Sequence, residues 1–231
     1  MQRKNLLLSD PDPTFYPAFL NLKGKQAVVI GGGKVAERKS LVLLKAGAEV
    51  TLISPKLTRR LEKEKAEGRI RHIPREYRRG DLKGAFLVIA ATSYPEINTE
   101  VVREAEAIHK SPLLNVVDMP SQCNFIVPSI VRRGPLTIAI STSGISPAMA
   151  RTIRRELKRL YGPEFADYLK LLEKIRKKAI KGIPDKKKRA EFFKSLASEE
   201  MMEILRNRGF KETSRVALDL FNRFPFLVGL C

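Results

Sequence analysis

The run Lys25-Gln26-Ala27-Val28-Val29-Ile30 is short, apolar and β-branched, and it stops at three consecutive glycines, Gly31-Gly32-Gly33. Such a run reads as a buried strand that enters a tight turn. Beyond the turn, Val35, Ala36, Leu41 and Leu44 recur at helical spacing, and Gly47 follows as a C′ residue. Strand, glycine turn and helix in this order open a βαβ unit. Residues 31–36 fit G-x-G-x-x-A. In that spacing the first glycine makes the turn, the second lets backbone approach a pyrophosphate, and the small last residue lets helix and strand pack closely. Free N–H groups and the helix dipole then hold the anion. The candidate contacts are Gly31, Gly33, Lys34 and Val35.

The same alternation continues. Residues 49–54 read as a second strand, stopped by Pro55, and 57–67 as a helix closed by Gly68. Residues 69–73 give a third strand, 85–91 a wholly apolar fourth, 95–109 a helix, and 113–117 a fifth strand ending at Asp118-Met119-Pro120. Strands alternating with helices predict an α/β fold with a doubly wound parallel sheet, covered on both faces. After Asp118 the pattern changes. Residues 125–127 and 136–141 read as strands without a regular helix between them. Ser146 is placed to cap a helix that begins at Pro147, and helices are expected over 148–161, 164–180, 186–207 and 212–224. The expected division is a dinucleotide-binding domain at 1–127 (1–15 a loose arm), a small region at 128–161, and a helical domain at 162–231.

Ligands of open α/β sheets bind outside the carboxyl ends of the strands. The second strand ends Ser54-Pro55-Lys56, without the acid that usually binds a ribose 2′-hydroxyl. Ser54 can bond the ribose hydroxyls, whereas Lys56, Arg59 and Arg60 can neutralise a 2′-phosphate. NAD and NADP therefore stay unseparated on these residues. The fourth strand delivers Ala91 and Thr92, and the fifth Asn115 and Asp118. A partly desolvated Asp118 suits proton transfer; an aspartate capping its own loop would look the same. The hydroxyl-rich loop with Thr142, Ser143 and Ser146 opens a helix carrying Arg151, an arrangement that can hold substrate carboxylates. An ordinary helix start with a basic face is the competing reading.

The chain has 44 Lys and Arg against 25 Asp and Glu, a formal net charge of +19 over 231 residues. Residues 151–231 hold 21 basic and 11 acidic side chains. Polyanions are the partners such a balance suits. A heat-adapted surface would give the same counts. No apolar stretch is long enough to span a bilayer, and no signal-peptide pattern opens the chain. His72, His109, Cys123 and Cys231 show no metal-ligand spacing, so no metal site is expected. A cytoplasmic protein is the expectation, and without a helix-turn-helix signature a nucleic-acid partner is not.

Several segments together resemble the precorrin-2 dehydrogenases of siroheme biosynthesis, including the N-terminal half of siroheme synthases. They are Tyr16-Pro17 to Leu22, the run from Val28 to Lys39, Ala46-Gly47-Ala48, Ile89 to Thr92, Asn115-Val116-Val117-Asp118, Asn124 to Ser129, and Ser141 to Arg151. The resemblance implies a Rossmann domain, a small dimerisation region, a helical domain and a homodimer. It implies oxidation of precorrin-2, a tetrapyrrole with many carboxylates, to sirohydrochlorin with NAD as hydride acceptor. Some members also insert Fe²⁺. The family's essential aspartate falls on Asp118. Its cofactor contacts fall on the Gly31–Val35 turn, on Ser54, Pro55 and Lys56, and on Ala91 and Thr92. Its tolerance of the missing second-strand acid favours NAD. The competing expectations are another NAD(P)-dependent oxidoreductase, and a dinucleotide-sensing regulator with a basic helical tail.

Overall fold

The structure is a computed structural model and describes residues 15–223. The expected arm lies almost wholly outside the described residues, as do Phe224 and Cys231. Contacts divide the chain into two units, Met1–Val127 and Pro128–Cys231.

The first unit is a five-stranded, all-parallel sheet in the order β3-β2-β1-β4-β5. Its strands are β1 (Gln26–Ile30), β2 (Glu49–Ile53), β3 (Ile70–Ile73), β4 (Leu87–Ala90) and β5 (Leu113–Val116). Helices α1 (Lys34–Lys45), α2 (Arg59–Ala66) and α3 (Pro95–Ala107) make three of the four crossovers. Successive β1 side chains point to opposite faces. Ala27 and Val29 therefore join the cluster of Ala36, Leu43 and Leu61 under α1 and α2, while Val28 and Ile30 join Leu82, Val101 and Ala105 under α3. Both sets are buried, which is why the strands read as unbroken apolar runs.

The crossover from β3 to β4 has no helix. It is an irregular segment organised by two carboxylates. Asp81 takes both guanidinium nitrogens of Arg75 at 2.7 Å, and the Arg78 N–H at 2.8 Å. Glu104, buried on α3, accepts from the Tyr77 hydroxyl, from Gly80 N–H at 2.9 Å and from Leu82 N–H at 3.1 Å.

The second unit begins with an antiparallel hairpin, β6 (Ser129–Arg133) and β7 (Leu136–Ile140). The strand expected at 125–127 does not form. Asn124 pairs with the β5 edge instead, through its N–H to the Leu114 carbonyl and its Oδ1 from the Leu114 N–H. The chain then leaves the sheet and pairs only from Ser129. Gly134, at φ 56, and Pro135 make the two-residue turn. Proline fixes the second φ negative, so the first must be positive, as in a type II′ turn. Helices α4 (Pro147–Leu160), α5 (Glu164–Gly182), α6 (Lys186–Leu196) and α7 (Glu199–Arg223) follow. The single helix expected over 186–207 is two, because Ser198 caps α7 by accepting from Met201 N–H at 3.2 Å. The run Glu199–Arg223 is itself two helices that meet at a kink at Gly209, φ 74 and ψ −176, which falls in the break expected between 207 and 212. Residues 128–161 and 162–231, expected as separate regions, share one unit; Leu136 and Tyr161 pack on the cluster of Phe165, Ile175, Phe192 and Leu205.

Removing Glu104 strands a buried hydroxyl and two backbone donors. Glu104→Ala is expected to lose about 3 kcal/mol of stability, read from urea denaturation. The Arg75 hydrogen bond holds Asp81 below the ordinary aspartate value. A depressed carboxylate stabilises the fold above its unfolded pKa and stops doing so as pH falls through the folded one. Asp81→Asn is therefore expected to be less stable than the parent at neutral pH, with the gap closing below about pH 4 in pH-dependent melts.

Candidate functional site

The carboxyl ends of β1, β2, β4 and β5 surround a pocket of about 440 Å³. It lies where the strand order reverses between β1 and β4, the expected ligand position in this class of sheet. Its floor is the glycine turn, whose three glycines differ physically. Gly31 has φ +114, and a Cβ there would meet the Ala91 carbonyl oxygen at 2.4 Å. At Gly32 a Cβ would meet the Lys56 carbonyl oxygen at 1.9 Å. At Gly33 a Cβ would meet nothing within 4 Å; this residue faces the open pocket.

Gly33 is also the N-cap of α1 and offers no side chain to the first turn. The earliest helical bond is Glu37 N–H to the Gly33 carbonyl, at 2.9 Å. The amides ahead of it are left for a ligand, at the positive end of a twelve-residue helix. Glu37 closes the back of this turn. It accepts from the Thr58 hydroxyl, and that bond, ahead of nearby Lys34, holds its carboxyl below the ordinary glutamate value. Thr58 in turn caps α2 by accepting from Leu61 N–H.

Gly31, Gly33, Lys34, Val35, Ser54, Pro55, Ala91, Thr92 and Asp118 all line the pocket. The Ser54 hydroxyl donates to the Lys56 carbonyl at 2.8 Å, so it meets a ribose hydroxyl as an acceptor. Thr92 is bound into its own loop: its oxygen takes the Tyr94 N–H at 3.1 Å and lies 3.0 Å from Oδ1 of buried Asn98. Asp118 sits at φ 62, a left-handed conformation that aspartate tolerates better than most residues. Its carboxylate has no hydrogen bond or ion pair among the described residues. The expected partial desolvation is absent; Asp118 is exposed, because the strand stops at Val116 and the left-handed turn carries the side chain outward.

Two expected contacts lie elsewhere. Lys56 is exposed and off the pocket lining; its backbone carbonyl, packed on Gly32, is the part the site uses. Asn115 pairs with Ile89 in register, so it turns to the face covered by α1 and away from the pocket. Thr142, Ser143, Ser146 and Arg151 belong to the second unit. There Ser143 (φ 50) and Gly144 (φ 88) form a turn closed by Ile145 N–H to the Thr142 carbonyl at 2.9 Å. The Thr142 hydroxyl accepts from Ser146 N–H, and Ser146 caps α4 by accepting from Met149 N–H. Arg151 is exposed on α4.

Sequence reasoning missed Glu76, Tyr77, Tyr94 and Ile97, which also line the pocket. The Tyr77 hydroxyl is raised above the ordinary tyrosine value, first by burial and then by its bond to Glu104. The signal was faint: Glu104 stands on the apolar repeat of Val101 and Ala105, where an acid needs a buried donor.

The sheet, the glycine turn and the uncapped helix define a dinucleotide-binding Rossmann-type protein. A family of NAD(P)-binding domains matches residues 18–129, and the family described as "Sirohaem biosynthesis protein central" matches residues 133–160. The siroheme synthase of Methylobacillus flagellatus is 48% identical over 144 residues, 62% of this chain and 30% of that protein. The siroheme synthase of Thioalkalivibrio sulfidiphilus is 36% identical over 208 residues, 89% of this chain and 42% of that protein. The solved structure of SirC, a precorrin-2 dehydrogenase, superposes with a TM-score of 0.73 at 26% identity, covering 87% of this chain and 100% of that one. Over most of its length the chain is similar to siroheme synthases and to this precorrin-2 dehydrogenase. It spans less than half the length of these two curated relatives.

Gly33 and Gly32 separate binding from folding. Gly33→Ala is expected to keep the parent melting temperature and to weaken NAD binding at least ~10-fold, since the methyl occupies the ligand's side of the turn. Gly32→Ala is expected to lower the melting temperature as well, because the methyl must displace backbone. Thermal melts and calorimetric NAD titration distinguish the two.

Proposed function

We propose that the protein oxidises precorrin-2 to sirohydrochlorin with NAD as the hydride acceptor. The observation that carries this reading is an unpaired carboxylate, Asp118, on the rim of a dinucleotide pocket, in a chain with these relatives. Removing two hydrogens from the tetrapyrrole sends one away as hydride and one as a proton. NAD, when bound, supplies the hydride acceptor. The protein's residues do the rest. The first-turn amides of α1 and the open face of Gly33 seat the pyrophosphate. Ser54 and Pro55 meet the ribose at the end of β2. Ala91 and Thr92 would hold the dinucleotide at the end of β4. Asp118 takes the proton, and its exposure leaves it accessible to a large substrate.

The substrate's carboxylates call for cations, and the excess of positive charge, densest after residue 150, supplies them. In this reading Thr142, Ser143, Ser146 and Arg151 bind those carboxylates. The hydroxyl hydrogens of the first three have no acceptor among the described residues. Ile145, Met149 and Leu160 leave large apolar side chains exposed in the second unit, and a second copy of the chain is the proposed cover. Insertion of Fe²⁺ as a substrate extends the same chemistry, with Asp118 accepting pyrrole N–H protons. No helix among the described residues is long and apolar enough to cross a membrane. The cytoplasm is the proposed compartment.

Asp118→Asn is expected to keep NAD affinity and to lose turnover by at least ~100-fold. The check is anaerobic: precorrin-2 generated in place, NAD added, and NADH absorbance followed with the tetrapyrrole spectrum. A fully active variant overturns the role of Asp118. Adding Fe²⁺ to the same reaction, against a control without enzyme, tests insertion.

A further inference from the structure

A hydrogen-bonded chain connects the nucleotide-binding helix to the turn that carries Asp118. Lys39 lies in the second turn of α1 and donates to Oδ1 of Asn115 at 3.2 Å. Burial holds Lys39 below the ordinary lysine value, with Arg38 acting in the same direction. An ammonium on Oδ1 orients the amide, because only the oxygen can accept from it. The NH₂ end must then face the other way. It donates to the Phe125 carbonyl at 3.2 Å and lies 3.6 Å from Sγ of Cys123.

Cys123 carries the connection to the turn. Its sulfur accepts from Val116 N–H at 3.2 Å and lies 3.4 Å from the carbonyls of both Val116 and Met119. Those two carbonyls flank Asp118, one on each side in sequence. The thiol therefore spans the base of the left-handed turn. Its single hydrogen serves one carbonyl at a time. Asn115 is only 9% exposed, so its amide has few alternative partners.

We propose that Lys39, Asn115 and Cys123 are positioning residues that hold Asp118 at a set place relative to the N-terminus of α1. The inference rests on the reading of Asp118 as proton acceptor. Proton acceptor and hydride acceptor must meet one substrate together. A rigid link between the helix that seats the dinucleotide and the turn that presents the carboxylate supplies that geometry. None of the three touches the pocket.

The test measures kcat, KM for precorrin-2 and Kd for NAD in Asp118→Asn, Lys39→Met, Asn115→Leu, Cys123→Ala and Cys123→Ser. Displacing a reacting group by about 1 Å costs up to ~100-fold. Lys39→Met, Asn115→Leu and Cys123→Ala are expected to lower kcat ~10- to 100-fold while Kd for NAD stays within ~2-fold. Cys123→Ser keeps a donor and an acceptor and is expected to recover most of what Cys123→Ala loses. Unchanged kcat in Asn115→Leu and Cys123→Ala overturns the proposal. So does an equal loss of NAD affinity, which marks general disruption, and so does a serine variant no better than alanine. A fully active Asp118→Asn removes the base assignment itself. An inactive Asp118→Asn beside an unaffected Asn115→Leu removes only the positioning role.

Discussion

Backbone packs directly on backbone at the floor of the pocket, and the site depends on that approach. β1 is the central strand, so its end is wedged between the ends of β2 and β4. Gly31 N–H reaches the Ile53 carbonyl at 2.9 Å, and the Gly32 carbonyl takes the Thr58 N–H at 3.1 Å. A side chain on Gly31 or Gly32 would stand where Ala91 or Lys56 already has a carbonyl. The turn is consequently tight enough to start α1 at once, with its first amides facing the crevice. Position, dipole and vacancy of donors all follow from this one steric condition. Thr58 and Glu37 then lock α2 to α1 behind it, so the β2 end cannot drift from the glycine turn.

The parts of the site legible in the sequence are those made by backbone. A glycine turn between a strand and a helix has a spacing, and spacing survives without coordinates. Gly31, Gly33, Ser54 and Ala91 could be placed because strand ends converge in a parallel sheet. Side-chain direction was the weaker inference. Asn115 and Asp118 are three residues apart at the same strand end, yet one faces α1 and the other the pocket rim. The alternation of a strand predicts opposite faces for such a pair only while the strand continues. A left-handed residue at the end resets the direction, and nothing in the composition announces it. Tyr77 was invisible for a different reason. The segment from 74 to 84 has no periodicity to read, and its order comes from Glu104, more than twenty residues away on another helix.

The second unit was harder to divide than the first. Its helices were legible as an apolar repeat, but their breaks depend on capping. Ser198 and Gly209 do different things in one continuous-looking pattern. A serine hydroxyl that accepts from the third amide ahead starts a new helix at 199. A glycine with φ 74 and ψ −176 leaves helical geometry and sets a kink where one helix gives way to the next. The hairpin turn was not read from the sequence, which placed the first strand at 125–127; in the structure Gly134-Pro135 sets the turn, since the pair allows one sign combination of φ. Arg133 then anchors the hairpin to the end of α4, donating to the Tyr161 carbonyl at 2.8 Å and the Lys158 carbonyl at 3.1 Å. Basic residues in this unit thus include structural caps, and its charge cannot all be assigned to a ligand.

The end of the parallel pattern at Asp118 has its own cause. β5 is an edge strand, and an edge leaves unpaired N–H and C=O groups. A sixth strand is the usual cover. Here Asn124 and Cys123 provide it without a strand: the Asn124 N–H and Oδ1 pair with Leu114, its Nδ2 donates to the Pro112 carbonyl at 2.9 Å, and Cys123 Sγ accepts from Val116 N–H. Two residues cannot impose the regularity of a strand, so the chain between Val116 and Cys123 is free to make the tight turn of 118–122. A sixth parallel strand would instead need a crossover of a dozen residues or more between β5 and the residues that cover its edge. Covering the edge with Cys123 and Asn124 therefore keeps the return of the chain short, and the left-handed turn of Asp118 closes it beside the dinucleotide pocket.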